Sequence, residues 1–313
     1  MQNKQISTVF LGTPDFAVPS LAALVRAGYK PVVITAPDKA VGRQQVLTPS
    51  PVKLVAQEEG LEIYTPEKLD DDFFELFRKL NIDLAIVVAY GKIIPEKYLS
   101  LPRFGFINVH PSLLPKYRGP SPIQSAILNG DRQTGMSIMI LDKEIDHGPV
   151  LSNTPYEIPE NAYLAKIAHE LALLGSELLI KTISSYIAGN LAPKEQDHSQ
   201  ATFTKKITRQ DGKINWLKPA TEIFNQVRAL STEPGVWTTW QGKTLKIISV
   251  EPSHKFSENP LPGAVLLIST NQIAVQTKTD LLILLRLQLE GANEMDAAQF
   301  IPGHPNFIGS TLE

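Results

Sequence analysis

The chain has 313 residues, a formal net charge of -2 and no cysteine. That length allows two domains with ample core, and the near-neutral balance provides no global field for non-specific binding to polyanions. The absence of thiols excludes disulfides, thiolate catalysis and cysteine-ligated zinc.

Ile6-Ser7-Thr8-Val9-Phe10-Leu11-Gly12 reads as a first strand closed by a Gly turn, with no charged and apolar leader before it; the expectation is a cytoplasmic protein. Residues 16–27 carry Val18, Leu21, Leu24 and Val25 at helical spacing, and Gly28 stops them. Pro31-Val32-Val33-Ile34-Thr35 is the next strand, so the order predicts a parallel pair with a right-handed crossover. The first turn, Gly12-Thr13-Pro14-Asp15-Phe16-Ala17, is neither G-x-G-x-x-G nor a phosphate loop, which predicts a Rossmann-like sheet without a dinucleotide. Residues 36–51 read as a long polar loop. A helix starting at Asp70 puts Phe73, Phe74, Phe77 and Leu80 mostly on one side, and the apolar strand 83–88 ends in Ala89-Tyr90-Gly91.

Gly105-Phe106-Ile107-Asn108-Val109 reads as a central strand of a parallel sheet, stopped by Pro111 and Pro115. Asn108 and His110 lie two apart, so in an extended chain they point the same way, at the edge where such sheets hold ligands. An amide beside an imidazole on a rigid support can bind charge that develops during a reaction. Asp146 falls in a tight loop between two strands, where an aspartate most often serves its own turn. Residues 162–186 have the pattern of a long amphipathic helix. Residues 189–206 are polar and aperiodic, a linker pattern, and beyond them short strands separated by Gly, Pro, Asn and Lys turns predict a small OB-like barrel. The predicted class is α/β: a Rossmann-like, mostly parallel domain over 1–188, a linker over 189–206, and an OB-like β-barrel domain over 207–313.

Gly12-Thr13-Pro14-Asp15-Phe16-Ala17, Pro49-Ser50-Pro51-Val52-Lys53, Asn108-Val109-His110-Pro111-Ser112-Leu113-Leu114-Pro115, Tyr117-Arg118-Gly119 and Asp146-His147-Gly148-Pro149 together resemble the methionyl-tRNA formyltransferases. The resemblance continues through Asp211-Gly212-Lys213-Ile214-Asn215-Trp216 and Val227-Arg228-Ala229. It implies transfer of a formyl group from 10-formyltetrahydrofolate to the α-amine of methionyl initiator tRNA, with Asn108, His110 and Asp146 catalytic and no metal. It further implies a folate site at Ser112, Leu113, Leu114, Pro115 and Ala89, Tyr90, Gly91. Contacts to tRNA would come from Arg43, Lys205 and Lys206, in a monomeric enzyme that does not act at a membrane. Where the family's long loop is often basic after the matching arginine, this chain continues Gln44-Gln45-Val46-Leu47. A sugar-nucleotide N-formyltransferase, sharing the Asn, His and Asp, and a catalytically idle folate- or RNA-binding protein are the competing readings.

Overall fold

Alternating apolar strands and amphipathic helices build the first half of the molecule. The computed structural model describes residues 6–42, 45–253 and 261–313. The chain divides into two units, one of residues 1–119, 133–157 and 168–204, the other of 120–132, 158–167 and 205–313.

In the first unit the strands are β1 (Thr8–Gly12), β2 (Val32–Ile34), β3 (Lys39–Val41), β4 (Val46–Thr48), β5 (Ile63–Tyr64), β6 (Leu84–Val88), β7 (Phe106–His110), β8 (Gln133–Ile140) and β9 (Val150–Glu157). Seven of them form one sheet in the order β5-β2-β1-β6-β7-β8-β9. It is parallel from β5 to β7 and antiparallel from β7 to β9. The helices α1 (Val18–Arg26), α2 (Pro51–Glu58), α3 (Asp71–Lys79) and α4 (Glu96–Leu99) connect the parallel strands. Residues 36–51, expected as a loop, instead fold partly into a two-stranded hairpin, β3 against β4. Positive φ at Gly42 and Gln45 makes the turn, and Ala40 pairs with Leu47. Ser50 caps α2 by accepting from the Lys53 amide at 3.0 Å, so the Pro-Ser-Pro run acts as a helix start.

Strand alternation decides what the site sees. Val9, Leu11, Ala85, Val87 and Phe106 share a buried cluster with Phe77 and Tyr98 of the covering helices. Phe77 packs edge-on to Tyr98 at 5.3 Å and stacks on Phe106 at 5.9 Å. Phe106, Asn108 and His110 fall on one face of β7 by the two-residue period. Ile107 and Val109 face the other side, where the long helix α6 (Leu164–Ile187) lies. A β-carbon on Gly175 of α6 would stand 2.7 Å from Met136 and 3.1 Å from Val109, so glycine there lets the helix lie close on β7 and β8.

The second unit contains the helices α5 (Pro122–Leu128) and α7 (Ala220–Leu230), the strands β10 (Val236–Trp240), β11 (Lys243–Ser253), β12 (Val265–Ser269), β13 (Gln272–Gln276), β14 (Leu281–Leu289) and β15 (Met295–Asp296), and helix α8 (Ala297–Gly303). The sheet order is β10-β11-β14-β13-β12, all antiparallel, with β15 beside β14. Its two edges are joined by the last residues of the chain. The Val265 amide donates to Ser310 and the Leu312 amide to Gly263, while Thr239 and Glu313 exchange both backbone bonds at 2.8 and 3.0 Å. That closes a ring of strands and removes the open edges, as the barrel reading expects. Among the described residues no helix is long and apolar enough to cross a membrane.

Candidate active site

The parallel strands β1, β6 and β7 end on one edge, at Gly12, Val88 and His110. Asn108 is half-buried and His110 is only 4% exposed. The third group arrives from the 141–149 loop, which follows β8. Strand β8 runs beside β7 with Ser137 opposite His110 and Met139 opposite Asn108, and the β8–β9 register slips between Ile138 and Met139. Such a slip bends a strand pair beside a site.

The three side chains predicted to act together do meet. Asn108 Nδ2 donates to Asp146 Oδ1 at 3.3 Å. His110 Nδ1 lies 3.6 Å from the same oxygen, too long for a hydrogen bond, and the two attract as opposite charges only when the ring is protonated. The other ring nitrogen, Nε2, is 3.0 Å from the Tyr117 carbonyl oxygen. A carbonyl only accepts, so Nε2 holds a proton and donates; in a neutral ring Nδ1 then carries the lone pair, on the Asn108–Asp146 side. Asp146 is anchored by its second oxygen, which accepts from the Gly119 amide at 2.7 Å. His110 is thus steadied by a backbone carbonyl, and the acid by a backbone amide, both from the turn 117–119.

That turn is unusual backbone. Tyr117 has φ +60 and Gly119 φ +107, and Asp146 itself has φ +49. Several bonds hold it. The Tyr117 amide donates to Thr202 Oγ1 at 2.8 Å, the Arg118 amide to Thr202 O at 2.9 Å, and the Thr204 amide back to Arg118 O at 2.8 Å. Of residues 189–206, read from sequence as a linker, 189–204 therefore run along the loops of the first unit. Gln196, buried in this run, donates to the carbonyls of Asp146 and Gly148 and accepts from the Arg118 guanidinium. Arg118 also reaches His198 Nδ1 at 2.8 Å, and the His198 ring stacks on His147 at 4.1 Å. Tyr117 and Gly119 stood in the sequence only as part of a motif, their roles hidden because both act through backbone atoms, and Gln196 was missed because it lies in a segment without periodicity.

The expected folate residues divide by role. Ser112 is fully buried and donates to Lys116 O at 2.6 Å; Ser137 Oγ donates to Ser112 O at 2.7 Å and accepts from the Leu114 amide at 3.2 Å. These bonds give the 112–115 loop its shape, with Leu114 buried and Leu113 and Pro115 half-buried. Ala89 and Gly91 are exposed, with φ +46 and +79, whereas the Tyr90 ring is buried. Burial pushes the Tyr90 phenol up to about 12, and its hydroxyl has no partner among the described residues. A cleft of about 860 Å³ lies between α4 and the Asp146 loop, lined by Lys97, Leu99, Leu141, Lys143 and His147 among others. Among the described residues no group of three or more His, Cys, Asp or Glu is placed to hold a metal ion.

Of the expected tRNA contacts, Arg43 lies outside the described residues. Lys206 is exposed. The Lys205 ammonium pairs with Asp211, which also accepts from the Thr208 amide and hydroxyl at 2.8 and 2.7 Å. These partners, Lys205 first, hold the Asp211 carboxyl down to about 2. A depressed carboxyl stabilises the fold above its unfolded value of about 3.9, and the contribution is lost as pH falls through the folded value. Asp211→Asn is therefore expected to melt below wild type at neutral pH, and the gap should close as the pH is taken from about 4 towards about 2. Thermal melts across that range check it; a gap independent of pH would contradict it.

Comparison with known proteins then places the chain. The family model described as formyl transferase matches residues 6–183, and the model for the formyl transferase C-terminal domain matches 206–305. The two matches define a formyl transferase. The methionyl-tRNA formyltransferase of Caldicellulosiruptor saccharolyticus is 40% identical over 309 residues, covering 97% of this chain and 99% of that one. That of Staphylococcus aureus (strain MW2) is also 40% identical, over 97% and 98%. The chain belongs to the methionyl-tRNA formyltransferase family. Among solved structures, WlaRD, a sugar 3N-formyl transferase crystallised with dTDP and 5-N-formyl-THF, shares the fold at TM-score 0.68 and 21% identity, covering 93% of this chain and 100% of that one. HypX from Aquifex aeolicus in complex with tetrahydrofolic acid does so at 0.65 and 16%, covering 97% and 48%.

Proposed function

We propose that the protein moves a formyl group from 10-formyltetrahydrofolate to the α-amine of methionine esterified to initiator tRNA, giving N-formylmethionyl-tRNA for translation initiation. The observation that supports this most is the convergence of Asn108, His110 and Asp146 on one strand edge, in a chain that matches methionyl-tRNA formyltransferases along nearly its whole length.

The chemistry follows from the protons. The amine must be neutral to attack, and attack on the formyl carbon releases a further proton from nitrogen. Asp146 and the bare Nδ1 of His110 are the acceptors at hand. Once protonated, His110 presents an Nδ1–H beside the second Nδ2–H of Asn108, and both stabilise the oxygen that turns negative as the tetrahedral intermediate forms. One such donor is worth roughly 2.7–4 kcal/mol. Collapse breaks the bond from the formyl carbon to the folate nitrogen, which takes up the imidazolium proton. Residues 1–188 perform this transfer and 207–313 engage the tRNA, with Lys206, Lys205 and Arg43 towards its phosphates. The cleft beside α4 offers the folate the apolar surface of Leu99 and Leu141, its charge being mixed, with Lys97 and Lys143 beside Glu96, Asp142 and Glu144; the exposed Ala89 and Gly91 backbone, outside that lining, suits the pterin edge. The enzyme acts as a cytoplasmic monomer.

Incubating the protein with 10-formyltetrahydrofolate and either methionyl initiator tRNA or an amino-sugar nucleotide separates the readings. Formylated methionyl-tRNA is the expected product. Formylation of the sugar alone would replace this assignment, and no transfer to either would make the protein a binder.

A further inference from the structure

Gln196 lies on the segment that follows α6, and that segment is pinned at both ends. Val150 and Lys194 exchange backbone bonds at 2.8 and 2.9 Å, and Phe203 bridges to Arg118. Between these ties Gln196 is 7% exposed. Its amide is saturated. Nε2 donates to Asp146 O at 3.0 Å and Gly148 O at 2.7 Å, while Oε1 accepts from Arg118 Nε at 3.2 Å and Nη2 at 2.8 Å.

The two strained turns that carry the site meet at this one side chain. On the Asp146 side, a left-handed backbone carries the acid, and its carbonyl is held by Gln196. On the Arg118 side, the flanking Tyr117 carbonyl holds His110 and the Gly119 amide holds the Asp146 carboxylate. We infer that Gln196 is a positioning residue for formyl transfer: it fixes the distance between the turn that carries the acid and the turn that orients both acid and imidazole. It touches neither substrate nor reacting atoms. The inference rests on the formyltransferase reading above. A merely space-filling glutamine would affect stability; a positioning one affects the chemical step, because displacement of a reacting group by about 1 Å can cost about 100-fold.

Two variants separate its halves. Gln196→Glu keeps an acceptor for Arg118 but turns acceptors on the Asp146 and Gly148 carbonyls. Gln196→Met removes both halves at nearly the same length. In the formyl-transfer assay both are expected to lose about 100-fold in kcat, with KM for formyl donor and for tRNA within about threefold of wild type. In parallel, the Gly119 amide proton, shifted downfield in the wild-type NMR spectrum by its carboxylate partner, should move upfield. A kcat within about threefold of wild type in either folded variant, or a loss carried by KM, overturns the inference. Wild-type protein offers a check that needs no variant: the Gln196 side-chain amide protons should be protected from solvent exchange, and free exchange overturns the inference too. Failure of the wild type itself to make formylated product would instead remove the functional reading.

Discussion

Asp146→Asn is expected to fold normally and to lose about 1,000-fold in kcat, within the range for a proton acceptor acting in the transition state. The substitution is close to isosteric. An Asn at this position still offers an oxygen to the Gly119 amide, which Asp146 now accepts at 2.7 Å, so the turn keeps its anchor. What disappears is the negative charge 3.6 Å from His110 Nδ1 and the oxygen that accepts from Asn108. An amide group there could turn its own Nδ2 towards Asn108 Nδ2, setting donor against donor. KM should change little, because binding of the tRNA and folate bodies does not depend on this charge. Rapid-quench kinetics with saturating substrates would measure the effect. A rate within about tenfold of wild type would contradict the role given to this carboxylate.

Gly148→Ala is expected to combine a folding defect with a catalytic one. A β-carbon at this position would lie 2.1 Å from the carbonyl oxygen of Ile140 and 3.2 Å from its carbon. Those are backbone atoms of a strand whose Ile140 amide is itself bonded to Pro149 O at 2.9 Å, so relief requires moving the loop. Overpacking of this kind costs about 1–3 kcal/mol. The displaced loop carries Asp146, and the Gly148 carbonyl is one of the two that Gln196 holds. A drop in the urea midpoint together with a fall in kcat of about 100-fold is expected. Gly303→Ala is the control, since nothing lies within 4 Å of its β-carbon position, and it should be close to neutral. Equal behaviour of the two variants would show that the close approach at Gly148 does not govern the loop.

Much of this was legible in the sequence because it is local and periodic. The two-residue spacing of Asn108 and His110 sets them on one face, and the pattern of short strands separated by turn residues announces the second unit. Other features are set by pairings between distant residues, which carry no period. The hairpin of β3 and β4 depends on a turn through Gly42 and Gln45 in a stretch whose polar composition reads as loop. Closure of the second sheet depends on Thr239 and Val265 bonding to the last few residues of the chain. At the site, the meeting of Asp146 with His110 was expected from resemblance. The Tyr117 carbonyl and Gly119 amide could not be expected from side-chain chemistry, because neither acts through a side chain. Gln196 sits in a polar run whose composition matches a linker, and only the fold of that run along the 117–119 turn gives it meaning.

The central claim is that an amide, an imidazole and a carboxylate act as one unit on one developing charge. Single-turnover formyl transfer to methionyl initiator tRNA, measured for wild type, Asn108→Ala, His110→Ala and the double variant, tests it most directly. Groups that act as a unit are not additive: each single variant should lose about 100- to 1,000-fold, and the double variant little more than the worse single. A double variant as slow as the product of two independent losses, or single variants near the wild-type rate, would contradict the claim.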